Sequence, residues 1–179
     1  MSSELGVNQC QKVAEPTGLD SILESEEVIK TMSKGNFSGE YVHSLDSKGR
    51  VIVPIRHRDE GSDEYYIVKG LDPCLYIYCK EDLDALSERM SENTNLLDQD
   101  HRILMRYLMG SRKPGEIDKQ GRMLIPQNLR EHAHLTKEVM LVGVGERIEV
   151  WDKQRYDEYN ANLDISAIAA KLAANGVSL

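Results

Sequence analysis

The sequence has little cysteine, no long apolar run and too few bases to balance its acids. Cys10, Cys74 and Cys79 are an odd number with no CxxC spacing. This excludes a disulfide framework, argues against zinc, and points to a reducing cytoplasm with Cys74 and Cys79 packed as small hydrophobes. No stretch approaches the roughly 18 apolar residues that a membrane-spanning helix needs, so we expect a soluble protein with no membrane partner. The N-terminus lacks a basic segment followed by an apolar one, the mark of a secretory signal. There is no GK[ST], no HExxH and no Ser or Cys in a nucleophile elbow, so neither an enzyme nor a cofactor is expected. His132 and His134 would fall on different faces of a helix, and His57 and His101 stand alone.

With 22 Lys and Arg against 30 Asp and Glu, the net charge of −8 argues at first against a nucleic-acid partner. The distribution of charge reverses that impression. From Ser44 to Arg58, Lys48, Arg50, Arg56 and Arg58 face Asp46 alone, and from Gly110 to His132 bases again exceed acids, whereas Lys80 to Asp100 is strongly acidic. A local basic face on an acidic body is compatible with DNA, because the local field steers a polyanion.

What is present most plainly is a repetition. Asp46-Ser-Lys-Gly49-Arg50-Val-Ile-Val-Pro54 returns, 72 residues later, as Asp118-Lys-Gln-Gly121-Arg122-Met-Leu-Ile-Pro126. Two copies of one supersecondary unit are implied, too small to bury much alone and therefore sharing a core. The expected organisation is an N-terminal extension at 1–34, a first unit at 36–92, a connecting helix within 93–110, a second unit at 111–163 and a tail helix at 164–179. Ser21 with Glu24 suggests a capped helix in the extension, and Met32-Ser-Lys-Gly-Asn-Phe resembles a translation start, which leaves open an upstream initiation for the first 31 residues.

The first unit reads strand (Tyr41 to Leu45), turn, strand (Val51 to Val53), a short helix opened by Pro54, strands at Tyr65 to Val68 and Leu75 to Cys79, and a helix carrying Leu83, Leu86 and Met90. A helix from about Asp98 to Met109 presents Ile103, Leu104, Tyr107 and Leu108 on one stripe. The second unit repeats the order, with strands at Val139 to Val142 and Arg147 to Trp151 and a helix at Gln154 to Leu163. Lys80 and Lys153 match at an offset of 73, so the second copy gains one residue. Ile165 to Ala174 reads as an apolar helix that docks on a partner subunit.

Asp at the first position of a turn and Gly at the fourth suit a tight turn, since the carboxylate caps backbone N–H groups and Gly accepts positive φ. Asp46 and Asp118 are thus expected to be structural. Lys48 and Arg50, mirrored by Lys119 and Arg122, do nothing for a turn as such. An arginine leaving the rim of a rigid hairpin can take a guanine edge or two phosphate oxygens in its fork. The alternative is that Arg50 and Arg122 pair with Asp46 and Asp118 and brace the turn.

The run Gly39-Glu-Tyr-Val-His-Ser-Leu-Asp-Ser-Lys-Gly-Arg-Val-Ile-Val-Pro and the run Ile117 to Arg130, with Gly70-Leu-Asp-Pro-Cys-Leu-Tyr-Ile-Tyr and Arg147-Ile-Glu-Val-Trp, closely resemble the MraZ family of AbrB-like transcription regulators. The resemblance covers about Phe37 to Tyr159. It implies an α+β fold in which two AbrB-like swapped-hairpin β units form a pseudo-symmetric barrel with flanking helices. It also implies a sequence-specific DNA-binding regulator, cytoplasmic and nucleoid-associated, acting on the promoter of the division and cell-wall gene cluster. By the same resemblance, Lys48, Gly49, Arg50, Lys119, Gly121 and Arg122 form the DNA-reading loops, the ligand is double-stranded DNA with short direct repeats, and the protein is a homo-oligomeric ring. Two other classes stay open: an oligomeric scaffold, and an antitoxin of the AbrB type. The Arg112-Lys-Pro-Gly stretch departs from the family pattern and leaves the path of that segment open.

Overall fold

The computed structural model describes residues 36–55, 57, 64–92 and 98–177. All lie within one unit, Ser33–Leu179. The expected extension at 1–34 with its helix lies outside the described residues, as do Arg56, most of the segment expected to be helical after Pro54, and 93–97 of the connection.

Eight strands are described: β1 (Phe37–Ser44), β2 (Arg50–Ile52), β3 (Tyr65–Lys69), β4 (Leu75–Cys79), β5 (Lys113–Gly115), β6 (Arg122–Leu124), β7 (Glu138–Gly145) and β8 (Arg147–Asp152). Between and after them run α1 (Lys80–Glu92), α2 (Gln99–Leu108), α3 (Gln127–His132), α4 (Lys153–Ala161) and α5 (Ile165–Ala174). A 3₁₀ turn, Met109–Ser111, joins α2 to β5. Six strands form one antiparallel sheet in the order β1-β7-β8-β4-β3-β5, and β2 pairs with β6 separately.

That order is a palindrome under the duplication. The first copy's β1, β3 and β4 correspond to the second copy's β5, β7 and β8. Each copy's opening strand leaves its own unit and pairs with the other's hairpin: β1 with β7, β5 with β3. The copies therefore exchange strands within one chain. A pseudo-two-fold axis passes through the sheet centre at Tyr76, paired with Glu149, and through the small sheet at Val51, paired with Met123. Among the described residues the hydrogen-bonded ladder is open, with β1 and β5 at its ends, so they do not close the expected barrel by backbone pairing.

Register refines the sequence offset. Ile67 pairs with Ile77 in the first hairpin and Leu141 with Val150 in the second. The single extra residue of the second copy is thus a difference: two gained before β7 and one lost in the turn that follows it.

Period-two alternation divides the core. Every residue of β4 is buried, because Leu75, Ile77 and Cys79 enter one cluster while Tyr76 and Tyr78 enter another on the opposite face. The first cluster includes Val51, Val53, Met123, Ile125 and Leu129, so the β2–β6 pair and α3 cover that face. The second joins Tyr76, Tyr78 and Trp151 to Leu83 and Leu86 of α1 and Tyr156 of α4. Cys74 and Cys79 are buried thiols outside any disulfide, and burial pushes the Cys74 thiol well above its usual range.

Short β5 went unforeseen. Pro114 has no N–H to give to a ladder, yet it sits opposite Tyr66 on an edge strand whose other side needs no partner. Arg112, just before it, lies 3.7 Å over the Tyr66 ring and donates to Asp84 at 2.9 Å, which fixes the path of the Arg112-Lys-Pro-Gly stretch. Asp98, Asp152 and Asp164 cap α2, α4 and α5 by accepting backbone N–H bonds.

Candidate nucleic-acid interface

Both repeated turns are built on one plan. Asp46 Oδ1 accepts from the N–H of Lys48 at 2.9 Å and of Arg50 at 3.0 Å, while Gly49 N–H donates to the Asp46 carbonyl at 2.9 Å. In the second copy Asp118 Oδ1 accepts from Gln120 and Arg122 at 2.9 and 3.0 Å, and Gly121 N–H donates to the Asp118 carbonyl at 2.8 Å. Gly49 and Gly121 have φ of 78° and 76°, the left-handed conformation that the sequence assigned to glycine.

The two turns are then locked together. Ile125 N–H donates to the Gly49 carbonyl at 3.0 Å, and Val53 N–H donates to the Gly121 carbonyl at 2.9 Å, the same bond made twice about the axis. Between them Arg50↔Leu124 and Ile52↔Arg122 are cross-strand pairs. Val51 and Met123 point into the core, so Arg50, Ile52, Arg122 and Leu124 share the outer face. Ile52 and Leu124 are 45% and 51% exposed there.

The arginines do not simply project. Arg50 Nε and Nη2 both approach Asp46 Oδ2 at 2.7 Å, and Arg122 Nε and Nη2 both approach Asp118 Oδ2 at 2.9 Å. Each remaining Nη1 leans toward the other copy's carboxylate, Arg50 to Asp118 at 3.8 Å and Arg122 to Asp46 at 4.0 Å. This corrects the expectation that Arg50 and Arg122 do nothing for the turn: they brace it, and they tie the copies together. The four side chains are roughly a quarter to a third exposed and cancel in charge. The side-chain bond from Arg50, then its backbone bond, holds Asp46 down to about 2, and bonds from the Arg122 backbone and side chain lower Asp118.

Net positive charge comes from around this neutral centre. Lys48 and Lys119 are exposed at the turn tips. They are not equivalent in position, since Lys48 aligns with Gln120 and Lys119 with Ser47. The sequence reading missed Arg130. Its guanidinium from α3 lies against the first turn, so close that a Cβ built on Gly49 would meet its Cζ at 2.5 Å, and its buried Nε has no hydrogen-bond partner among the described residues. A signal for it existed: an arginine stands four residues after the proline in both copies, Arg58 and Arg130. Arg58 lies outside the described residues.

Chemically, the arrangement offers two pre-oriented guanidinium edges, three cations and two exposed aliphatic side chains on a rigid two-stranded platform. Two stretches of the chain, 36–106 and 109–176, match the model of a family described as "MraZ protein, putative antitoxin-like". The chain belongs to the MraZ family. A relative from Clostridium tetani named Transcriptional regulator MraZ is 42% identical over 142 residues, 79% of this chain and 99% of that one. Another of the same name from Acetivibrio thermocellus is 43% identical over 143 residues, with the same shares covered. A solution structure from Pyrococcus horikoshii aligns at 13% identity and a TM-score of 0.29, covering 63% of this chain and 96% of that one, too distant to inform the MraZ fold. The second family match runs past α5, so that helix belongs to the shared MraZ unit.

Proposed function

We propose that this chain is a transcriptional regulator that binds double-stranded DNA through the paired turns, with Arg50 and Arg122 reading base edges and Lys48, Lys119 and Arg130 contacting phosphates. Gly49 and Gly121 let the backbone make the turns, and Asp46 and Asp118 orient the forks. The observation that carries the reading is the Asp46–Arg50–Asp118–Arg122 cluster, repeated about an internal axis, with Lys48 and Lys119 exposed at the two turn tips. Held arginines lose little freedom on binding, which favours geometric recognition over mere charge attraction. The names of the relatives agree with this role.

One chain offers a small footprint. Specific binding then needs several copies, each on one element of a repeated site, and a ring of subunits on direct repeats about 10–10.5 bp apart meets that need. The promoter of the division and cell-wall gene cluster is the site we take from the family resemblance, and a nucleoid location accords with that reading. Gel shifts on a repeat-containing segment upstream of its own gene test the reading. Tight, salt-sensitive binding that falls when roughly 5 bp are inserted between repeats is expected, and equal affinity for unrelated DNA would overturn it.

The family description also carries the words antitoxin-like, which keeps one second reading in view. Co-purification of a small basic partner, with no retention on DNA, would favour it.

A further inference from the structure

Two aliphatic side chains of the paired turns stand outside the core that their neighbours fill. Ile52 of β2 and Leu124 of β6 are about half exposed, whereas Val51, Val53, Met123 and Ile125 on either side of them are wholly buried. Alternation sets this. With a period of two, an inward Val51 and an inward Met123 turn the residues that flank them outward.

Register then sets what each one stands beside. Arg50 pairs with Leu124 and Ile52 with Arg122, so each arginine of the outer face has an aliphatic side chain directly across from it. Directly opposed Cβ atoms lie about 4.5–5.5 Å apart, and successive bases of a DNA strand about 3.4 Å apart along the axis. An arginine and its aliphatic partner are thus spaced for neighbouring bases. The internal axis through Val51 and Met123 exchanges the two arginines and, with them, Ile52 and Leu124.

The chemistry of the face narrows what meets these side chains. Its two arginines and two aspartates are already bonded in pairs, Arg50 to Asp46 and Arg122 to Asp118, and their charges cancel. Apolar carbon pressed on a phosphate would strip water from the anion and return no hydrogen bond, which is a loss. A base edge is different. In the major groove thymine presents its C5-methyl group, and the groove, about 12 Å wide, admits a two-stranded ribbon such as β2 with β6.

We infer that Ile52 and Leu124 are specificity residues that pack on the C5-methyl groups of thymines beside the guanines taken by Arg122 and Arg50. The inference rests on the DNA-binding reading proposed above and adds a second base to each half of the platform. One base is read by hydrogen bonds and its neighbour by apolar contact. The apolar part neutralises no phosphate, so it is independent of salt.

Uracil in place of thymine tests this, because it deletes the methyl group and keeps every hydrogen-bonding group. A duplex that the full natural chain selects from a random pool is made in two forms, with thymine or with deoxyuridine at every thymine position. The natural chain should bind the uracil form about fourfold more weakly for each methyl contacted, with the same slope of log affinity against log salt. Thymines restored singly should recover affinity only beside a guanine. Ile52→Ala with Leu124→Ala should bind the thymine form more weakly and no longer tell the two forms apart. Equal affinity of the natural chain for both forms, recovery at thymines with no guanine beside them, or a variant that discriminates as the natural chain does would each overturn the inference. The first comparison needs no variant, so a variant that failed to fold would leave the test intact. Tight, selective binding that ignores uracil removes this inference and leaves the DNA-binding reading standing, whereas a natural chain that selects no duplex removes both.

Discussion

Arg50 stands between two carboxylates, bonded to Asp46 of its own turn at 2.7 Å and leaning on Asp118 of the other copy at 3.8 Å. The same guanidinium therefore shapes its own turn and links it to the second, while the side chain stays about a quarter exposed. Removing it would loosen both turns as well as delete the base contact proposed above.

Arg50→Ala or Arg122→Ala should abolish specific DNA binding. On the proposed binding mode each substitution removes a base contact of about 1–3 kcal/mol per site and leaves a carboxylate uncompensated on the surface that meets DNA. Lysine should not rescue, for a point charge lacks the fork that fits the aspartate. Affinities measured on specific and scrambled duplexes check this, and an unchanged ratio of the two in both variants would contradict the assignment.

Lys48→Ala, Lys119→Ala and Arg130→Ala should weaken binding to all sequences alike. The slope of log affinity against log salt should become shallower by about 0.9 for each phosphate no longer neutralised. A salt titration on two unrelated duplexes decides the matter: altered sequence preference with an unaltered slope would reassign these residues to base reading.

Two glycines at similar φ should respond differently to alanine. Gly145, at φ 70°, has nothing within 4 Å of an added Cβ, so Gly145→Ala should cost only backbone strain, about 1 kcal/mol. Gly49→Ala at φ 78° adds the same strain and must also push the Arg130 guanidinium aside. Denaturant midpoints should therefore fall in both, while DNA affinity should fall in Gly49→Ala alone.

Acid should open the cluster late. Asp46 is held at about 2 and Asp118 is also lowered, whereas an unfolded aspartate titrates near about 3.9. Lowered carboxylates contribute stability that is complete above the unfolded value and is lost as pH falls through the folded one. Stability should decline between about pH 4 and pH 2 on their account, and Asp46→Asn should flatten that decline in denaturant melts. An identical pH profile in the variant would remove the carboxylate from the acid response.

The turns were legible because their chemistry is local: Asp with Gly three positions later specifies the bend, and the apolar run Leu75 to Cys79 announces a strand. The bond between the copies was not legible. Arg50 meets Asp118 only because β2 pairs with β6 about the axis, a relation that no stretch of sequence encodes. β5 was hidden for a different reason, since a proline in a three-residue run argues against a strand unless the strand is known to lie at an edge. The α2 stripe shows the reverse failure. Periodicity placed Ile103, Leu104, Tyr107 and Leu108 together, yet only Leu108 is buried and Tyr107 hydrogen-bonds the Gly70 carbonyl at 2.7 Å. An apolar face declares that it wants cover without declaring what supplies it.

Strand exchange within one chain has a genetic consequence. Where two identical chains pair about an exact axis, every substitution occurs twice, and both loops must change together. Here the two loops are encoded separately. The arginines and aspartates have stayed in register, but the lysine has not, standing third in the first turn and second in the next, as Lys48 and Lys119. The surface therefore has a front and a back. On the proposed binding mode, a duplex laid across it would meet its cations in one order when it runs one way and in the other order when reversed, so a single chain would sense a direction along DNA that an exactly symmetric dimer could not distinguish.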